Sequence, residues 1–200
     1  RPRSDGGGRL PKYRYASAGS SYPLQVWVLA KPGRVEGLDG GLYYHHPERH
    51  DLEPVDPAAA LAVEAHAETN RTMAEASAFM ILLVAHYPAI RPLYGDRSRD
   101  FCLLEAGGIG QLLTETATDA GLGLCPVGVL DTAAVERSLD LGPDRELVYA
   151  LVGGVPDSSD DDTAAPVAVS DLAEALRAWV RDRLPDYMVP ETVQRLDALP

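Results

Sequence analysis

At 200 residues and 21.5 kDa the chain has room for one ordinary domain and part of another. Apolar residues make up 46% of it, enough for a packed core, and a formal charge of −12 excludes a general nucleic-acid binder, which needs clustered Lys and Arg. The first fifty residues carry eight Lys/Arg against four Asp/Glu, which leaves a place for a small anion there; the rest carries ten against twenty-six and repels polyanions.

Residues 1–11 (RPRSDGGGRLP) read as a flexible lead-in. The run 24–30 (LQVWVLA) is a strand, turned by Lys31-Pro32-Gly33. A second strand, 41–45 (GLYYH), follows the turn Asp39-Gly40-Gly41, and 50–55 can pair beside it as a meander. Asp56-Pro57 reads as the N-cap and first-turn proline of an Ala-rich helix reaching about Glu68. Residues 78–86 are continuously apolar and short, hence a buried strand.

The best helix covers 103–120, with Ile109, Leu112, Leu113, Ala117 and Ala120 on one face and Gly121 as its C′ stop. Strands at 124–129 and 147–152 follow, with a short helix near 132–139 between them. The class is α+β, helices on a mainly antiparallel sheet. The small, acidic residues 155–169 read as a solvated linker. From Ser170 an amphipathic helix shows a stripe of Leu172, Leu176, Trp179, Val180 and Leu184. Thirty residues make no core of their own, so 170–200 belong with a neighbouring domain.

Cys102 and Cys125 both stand in apolar runs and read as buried, reduced thiols. No Cys/His spacing suits a metal. The longest apolar stretch, 78–85, is too short to cross a bilayer and the start has no secretory signal, so the default location is cytoplasmic. The abrupt start and end read as a piece cut from a longer polypeptide.

Two glycine-bearing segments are candidates for chemistry. In KYRYASAGSSYP (12–23), hydroxyls of Ser17, Ser20, Ser21 and Tyr22 flank Ala18-Gly19, letting backbone approach a flat ligand; an ordinary turn has the same composition. In GLGLCPVG (121–128), backbone N–H groups can face an anion or a ring nitrogen, although the spacing is neither a Rossmann fingerprint nor a P-loop. Gly107 and Gly108 each cost a helix about 1 kcal/mol, which predicts close packing there, against another helix or a ligand. No Gly-x-Ser-x-Gly elbow is present, and His45, His46, His50, His66 and His86 form no pair, so hydrolase readings fall away.

Taken in order, KYRYASAGSSYPLQVWV, GLDGGLYYHHPERHDL, YGDRSRDFCLLEAGGIGQLL and GLGLCPVG resemble the FMN-dependent oxidases of the nitroreductase-like superfamily. The resemblance is to SagB/McbC-type dehydrogenases and the oxidase domains of nonribosomal peptide synthetases, over about residues 10–155. Residues 176–200 (LRAWVRDRLPDYMVPETVQRLDALP) resemble the start of the C-terminal subdomain of an adenylation domain. Together these imply an oxidase domain (12–154) inserted in an adenylation domain, with the start of its C-terminal subdomain at 170–200.

The resemblance implies FMN at a homodimer interface, with both subunits contributing to each site. Ser17, Ala18, Gly19 and Ser20 then correspond to one flavin loop, and Cys125, Pro126, Val127 and Gly128 to the other. A basic element that holds the ribityl phosphate in the family has no counterpart here, as expected if the N-terminal part of the fold is missing. Lys12 and Tyr13 are candidates for proton handling because dehydrogenation must release a proton, and a lowered pKa would suit either to accept it.

The implied substrate is an aminoacyl or peptidyl thioester on a peptidyl carrier domain. It is either a thiazoline or oxazoline oxidised to thiazole or oxazole, or a glutaminyl unit desaturated as in indigoidine synthesis. In both cases hydride passes to FMN and dioxygen reoxidises it. A catalytically inactive insertion that dimerises or spaces the synthetase is the alternative, supported by Ala16 where many relatives have Pro. A stand-alone NAD(P)H-consuming nitroreductase is a third reading that the adenylation-like tail disfavours.

Overall fold

The computed structural model describes residues 12–156 and Arg181; the expected lead-in 1–11, the expected linker beyond Pro156 and, Arg181 apart, the segment 170–200 lie outside the described residues. Six strands form one antiparallel sheet: β1 Leu24–Ala30, β2 Gly41–His46, β3 Asp51–Asp56, β4 Phe79–His86, β5 Gly123–Pro126 and β6 Arg145–Gly154, in the spatial order β3-β2-β1-β4-β6-β5. Among residues 12–156 the α-helices are α1 Arg71–Ala76, α2 Arg91–Tyr94 and α3 Ser98–Asp119. The chain is α+β, helices on an antiparallel sheet, as the patterning predicts.

The uninterrupted apolar run of β4 has a plain cause: both faces of this central strand are covered. On one face Met80, Leu82 and Val84 join Trp27, Leu29, Ala150 and Val152 beneath the segments carrying Ala59, Val135 and Leu139. On the other, Ile81, Leu83 and Ala85 join Leu24 and Leu151 beneath Ile90 and the Cys102, Ala106 and Ile109 stripe of α3. Leu82 and Leu83 are fully buried, and each such side chain contributes about 1.5–3 kcal/mol relative to exposure.

α3 begins at Ser98, five residues before the predicted start, with the Ser98 hydroxyl donating to the Gly95 carbonyl at 2.6 Å. Its end is as expected. Gly121 has φ +71°, its N–H donates to the Thr118 carbonyl and that of Leu122 to the Ala117 carbonyl, which is a Schellman closure.

Several expectations are corrected. The Ala-rich helix from Asp56 does not form. Asp56 accepts from the N–H of Ala58 and from the hydroxyl of Ser138, which makes a side-chain-held turn instead of a cap. The chain then runs through single 3-10 turns at Val63–Ala65 and Glu68–Asn70. Its backbone is satisfied partly from elsewhere, since His66 bridges Leu130 and the Asp131 N–H donates to the Ala65 carbonyl at 2.8 Å. Such tertiary pairing overrides alanine's helix propensity. The first regular helix is α1, which the pattern did not show, and α2 was likewise unforeseen. In place of the short helix expected near 132–139, residues 133–140 form consecutive turns that bury Val135 and Leu139 and end with Asp140, whose φ is +53°. The strand predicted over 124–129 stops at Pro126, where proline removes a ladder donor.

Gly107 and Gly108 do not pack closely within the chain: both are exposed, and a Cβ at either would meet nothing within 4 Å. Beside them Leu104 is 72% exposed. Close packing is found instead at Gly110, where a Cβ would approach Tyr149 Cε1 to 2.7 Å.

Gly153 fixes the β6 end of the sheet, because a Cβ there would lie 2.5 Å from Phe79 Cζ and 2.6 Å from Leu124 Cδ2. Gly153→Val is expected to cost about 2 kcal/mol by overpacking, read as a lower urea midpoint at unchanged slope. Adding Phe79→Leu should recover part of the loss; no recovery would assign the cost to Leu124 or the backbone and not to Phe79.

Candidate functional site

The hydroxyl-rich segment ahead of β1 is a tight loop built on unusual backbone. Gly19 (φ +59°), Ser20 (φ +56°) and Tyr22 (φ +45°) all adopt left-handed geometry. For Ser and Tyr that conformation is uncommon, and such residues cluster at functional sites. The loop is held by its own polar groups. The Tyr22 N–H donates to Ser17 Oγ at 2.9 Å, and the Ser21 hydroxyl to the Ala18 carbonyl at 2.8 Å.

Lys12 and Tyr13 are fastened to the same loop. The Lys12 ammonium donates to Ser20 Oγ, and the Tyr13 N–H to the Tyr22 hydroxyl at 3.2 Å. Three tyrosines close one flank: Tyr13 stacks on Tyr15 with centroids 5.8 Å apart, and Tyr22 meets Tyr13 edge-on at 4.7 Å. Burial and the carboxylate of Glu48 hold Tyr13 above the ordinary phenol range. This is opposite to the lowering expected of a base, so Tyr13 keeps its proton.

The second predicted segment sits elsewhere. Val127 is buried and its N–H donates to the Ala150 carbonyl at 2.9 Å, whereas Cys125, Pro126 and Gly128 are exposed. Cys125 therefore corrects the expectation of a buried thiol; it lies on edge strand β5, while Cys102 is buried under α3 and pushed up to about 11 by burial. Tyr15 and Ala18 pack on the α3 side of the sheet, Val127 and Leu130 on the other. Strands β4 and β6 intervene between β1 and β5, about 14 Å at ordinary strand spacing. Within one chain the two candidate loops are not brought together.

Sequence reasoning missed Glu105. It lies in the buried stripe of α3, 4% exposed, and neither carboxyl oxygen has a hydrogen-bond partner. Burial pushes it up to about 7. The Ser17 hydroxyl opposes that shift without meeting either oxygen in good geometry. Tyr15 and Cys102 face the same carboxyl, and its charge raises both. The signal was available: a Glu between Phe101 and Ile109 at four-residue spacing interrupts an apolar stripe. A second network, also unforeseen, ties Tyr87 and Arg99 to Glu146, with Arg99 Nη2 at 2.8 Å from Oε1.

Residues 8–155 match the Nitroreductase family. The chain belongs to that family. Its members are in general flavin-binding oxidoreductases. The chain is 30% identical to indigoidine synthase of Dickeya dadantii over 182 residues, which is 88% of this chain and 11% of that protein. It is 31% identical to a putative nitroreductase of Methanocaldococcus jannaschii over 117 residues, 56% of each. The chain thus spans about a ninth of the first relative and about half of the second.

Two solved structures share the fold. A putative nitroreductase from Anabaena variabilis has a TM-score of 0.63 at 18% identity, covering 78% of this chain and 32% of that one. The E. coli microcin synthetase McbBCD complex gives 0.59 at 19%, covering 78% and 60%.

For a flat ring such as a flavin, Gly128 offers open backbone, where a Cβ would meet nothing within 4 Å, whereas at Gly19 the place of a Cβ is already taken by Leu93 and Tyr94. Among the described residues no group of three or more His, Cys, Asp or Glu is placed to hold a metal ion, and no helix is long and apolar enough to cross a membrane.

Proposed function

We propose that this nitroreductase-family chain is the FMN-dependent oxidase domain of a nonribosomal peptide synthetase and acts on a thioester presented by a peptidyl carrier domain. The observation that carries it is the left-handed Gly19–Ser20 loop with Lys12 fastened to it, in a chain 30% identical to indigoidine synthase over 88% of its length. That similarity favours Cα–Cβ desaturation of a glutaminyl unit over azoline oxidation. In the proposed layout residues 1–11 are a lead-in, 12–154 the oxidase, 155–169 a linker and 170–200 the start of an adenylation C-terminal subdomain. The rest of that adenylation domain is then a neighbour in the same polypeptide.

FMN, held by Ser17, Ala18, Gly19 and Ser20 and by Cys125, Pro126, Val127 and Gly128, supplies a two-electron acceptor that dioxygen can reoxidise. Desaturation takes one hydrogen as hydride and its neighbour as a proton, and forms the C=C bond between the two carbons. Lys12 Nζ, held at Ser20, is the proposed proton acceptor, a role it can fill only as the neutral amine. Tyr13, which keeps its own, packs against Tyr22 and orients the loop.

The two loops lie on opposite faces of the sheet, which supports a site made by two copies of the chain. The exposed Leu104, Gly107 and Gly108 face of α3 is the proposed contact between them.

The test is the visible spectrum of the natively purified parent polypeptide, followed by heat release of the pigment. Near-stoichiometric FMN is expected. Lys12→Ala should retain the flavin and lose turnover about 10²–10⁴-fold. A colourless protein that takes up no added FMN would establish the spacer reading instead.

A further inference from the structure

Beneath the segment between β3 and β4, at the Ala30 end of β1, lies a cavity of about 270 Å³ that the proposed oxidase chemistry does not use. The Ser17–Tyr22 loop adjoins the Leu24 end of the same strand. Leu29 and Met80 form the buried floor, and Leu61 and Val63 the partly exposed wall. Lys31, Arg34 and His66 supply its polar corner.

Three features of that corner point to an anion. Although the chain is strongly acidic, no Asp or Glu lines this cavity. His66 is 5% exposed and its Nδ1 has no hydrogen-bond partner. Lys31 gives two of its three N–H donors to the carbonyls of Ala74 and Glu75, and Arg34 makes no ion pair with a described residue.

The three groups also sense one another. Lys31 is held below the ordinary ammonium range by burial and by Arg34, against a smaller opposing pull from the Glu75 carboxylate outside the cavity lining, and His66 below the ordinary imidazole range by burial and by Lys31. A donor cluster running from buried His66 through half-buried Lys31 to exposed Arg34, with like-charge repulsion and set against apolar walls, gains from an anionic head with an apolar body.

We propose that this cavity binds a small aliphatic carboxylic acid, its carboxylate meeting Lys31, Arg34 and the Nδ1–H of His66, and its chain lying against Leu29, Leu61 and Met80. The site is separate from the Ser17 and Gly128 loops, and it needs neither flavin nor carrier.

Octanoate tests the charge, with octanol and octylamine as matched neutral and cationic probes, by calorimetry on the full chain. Octanoate is expected to bind at least about tenfold more tightly than either, in line with a charge-assisted hydrogen bond. It should also raise the His66 pKa, read from the imidazole proton shifts, because a bound carboxylate favours the imidazolium. Arg34→Glu, at an exposed position, should erase the preference over octanol without altering flavin content. Leu61→Trp should block all three probes by filling the cavity. Equal binding of octanoate and octanol, no binding of octanoate, or binding that survives both substitutions would overturn the proposal.

Discussion

Replacing Glu105 by glutamine is expected to raise the unfolding free energy by about 3 kcal/mol near pH 8 and to leave it almost unchanged near pH 4. The carboxyl is buried with both oxygens unpartnered, and burial lifts it from 4.5 to about 7 in the folded chain. Below the unfolded value both states hold the proton, and Glu105 carries no pH-linked cost. As pH rises from 4.5 towards 7 the unfolded chain releases its proton first, so stability falls across that window and stays low above it.

Glutamine keeps the shape and cannot ionise, so the difference between variant and wild type should grow with pH and level off above 7. The size is a large share of the 5–15 kcal/mol that holds an ordinary domain folded. Urea unfolding at half-unit pH steps measures it. Two curves that run parallel across the range would mean that the carboxyl is solvated in solution and that its isolation under the Ser17 loop is wrong.

Two inactive variants are expected to rescue each other. Gly19→Val disables the first loop, since the position has φ +59° and its Cβ would lie 2.9 Å from Leu93 Cδ1. Gly128→Phe disables the second by projecting a ring into open space, with no cost to the fold. Each variant alone should purify without flavin. In a symmetric dimer whose sites combine the first loop of one chain with the second loop of the other, a mixed dimer holds one intact site and one doubly altered site.

Random pairing after joint refolding or co-expression then restores FMN in about one quarter of the sites. If each chain builds its own site, mixing restores nothing. The readout is flavin per chain and depends on no knowledge of the substrate.

The sheet was readable from sequence because its signal is local. The residue sets of β1, β4 and β6 are apolar runs bounded by turn residues, and burial on both faces keeps the runs continuous. The end of α3 was readable for the same reason, since Gly121 is required by its own backbone angle. The segment between β3 and β4 was not readable. Its alanines favour helix, but its path is set by pairing with Leu130 and Asp131, some sixty-five residues away in the chain.

For the site, KYRYASAGSSYP held the composition of the loop but not its left-handed Ser20 and Tyr22, which only the closed hydrogen-bond pattern reveals. The separation of the two glycine segments onto opposite faces was equally out of reach, because it depends on strand order.

The open Gly107-Gly108 step has a consequence for how α3 can be covered. Glycine has no rotamers to freeze, so a partner surface arriving there orders no side chain of this helix, at a place where a lysine or glutamine would lose up to about 2 kcal/mol of rotamer freedom. The approach can be backbone to backbone, close enough for Cα–H···O contacts that bulkier helix faces hold apart. A chain left alone bears the helical penalty of both glycines, about 2 kcal/mol together, with nothing in return. Alanine at these two positions would make a sturdier solitary domain and a poorer partner.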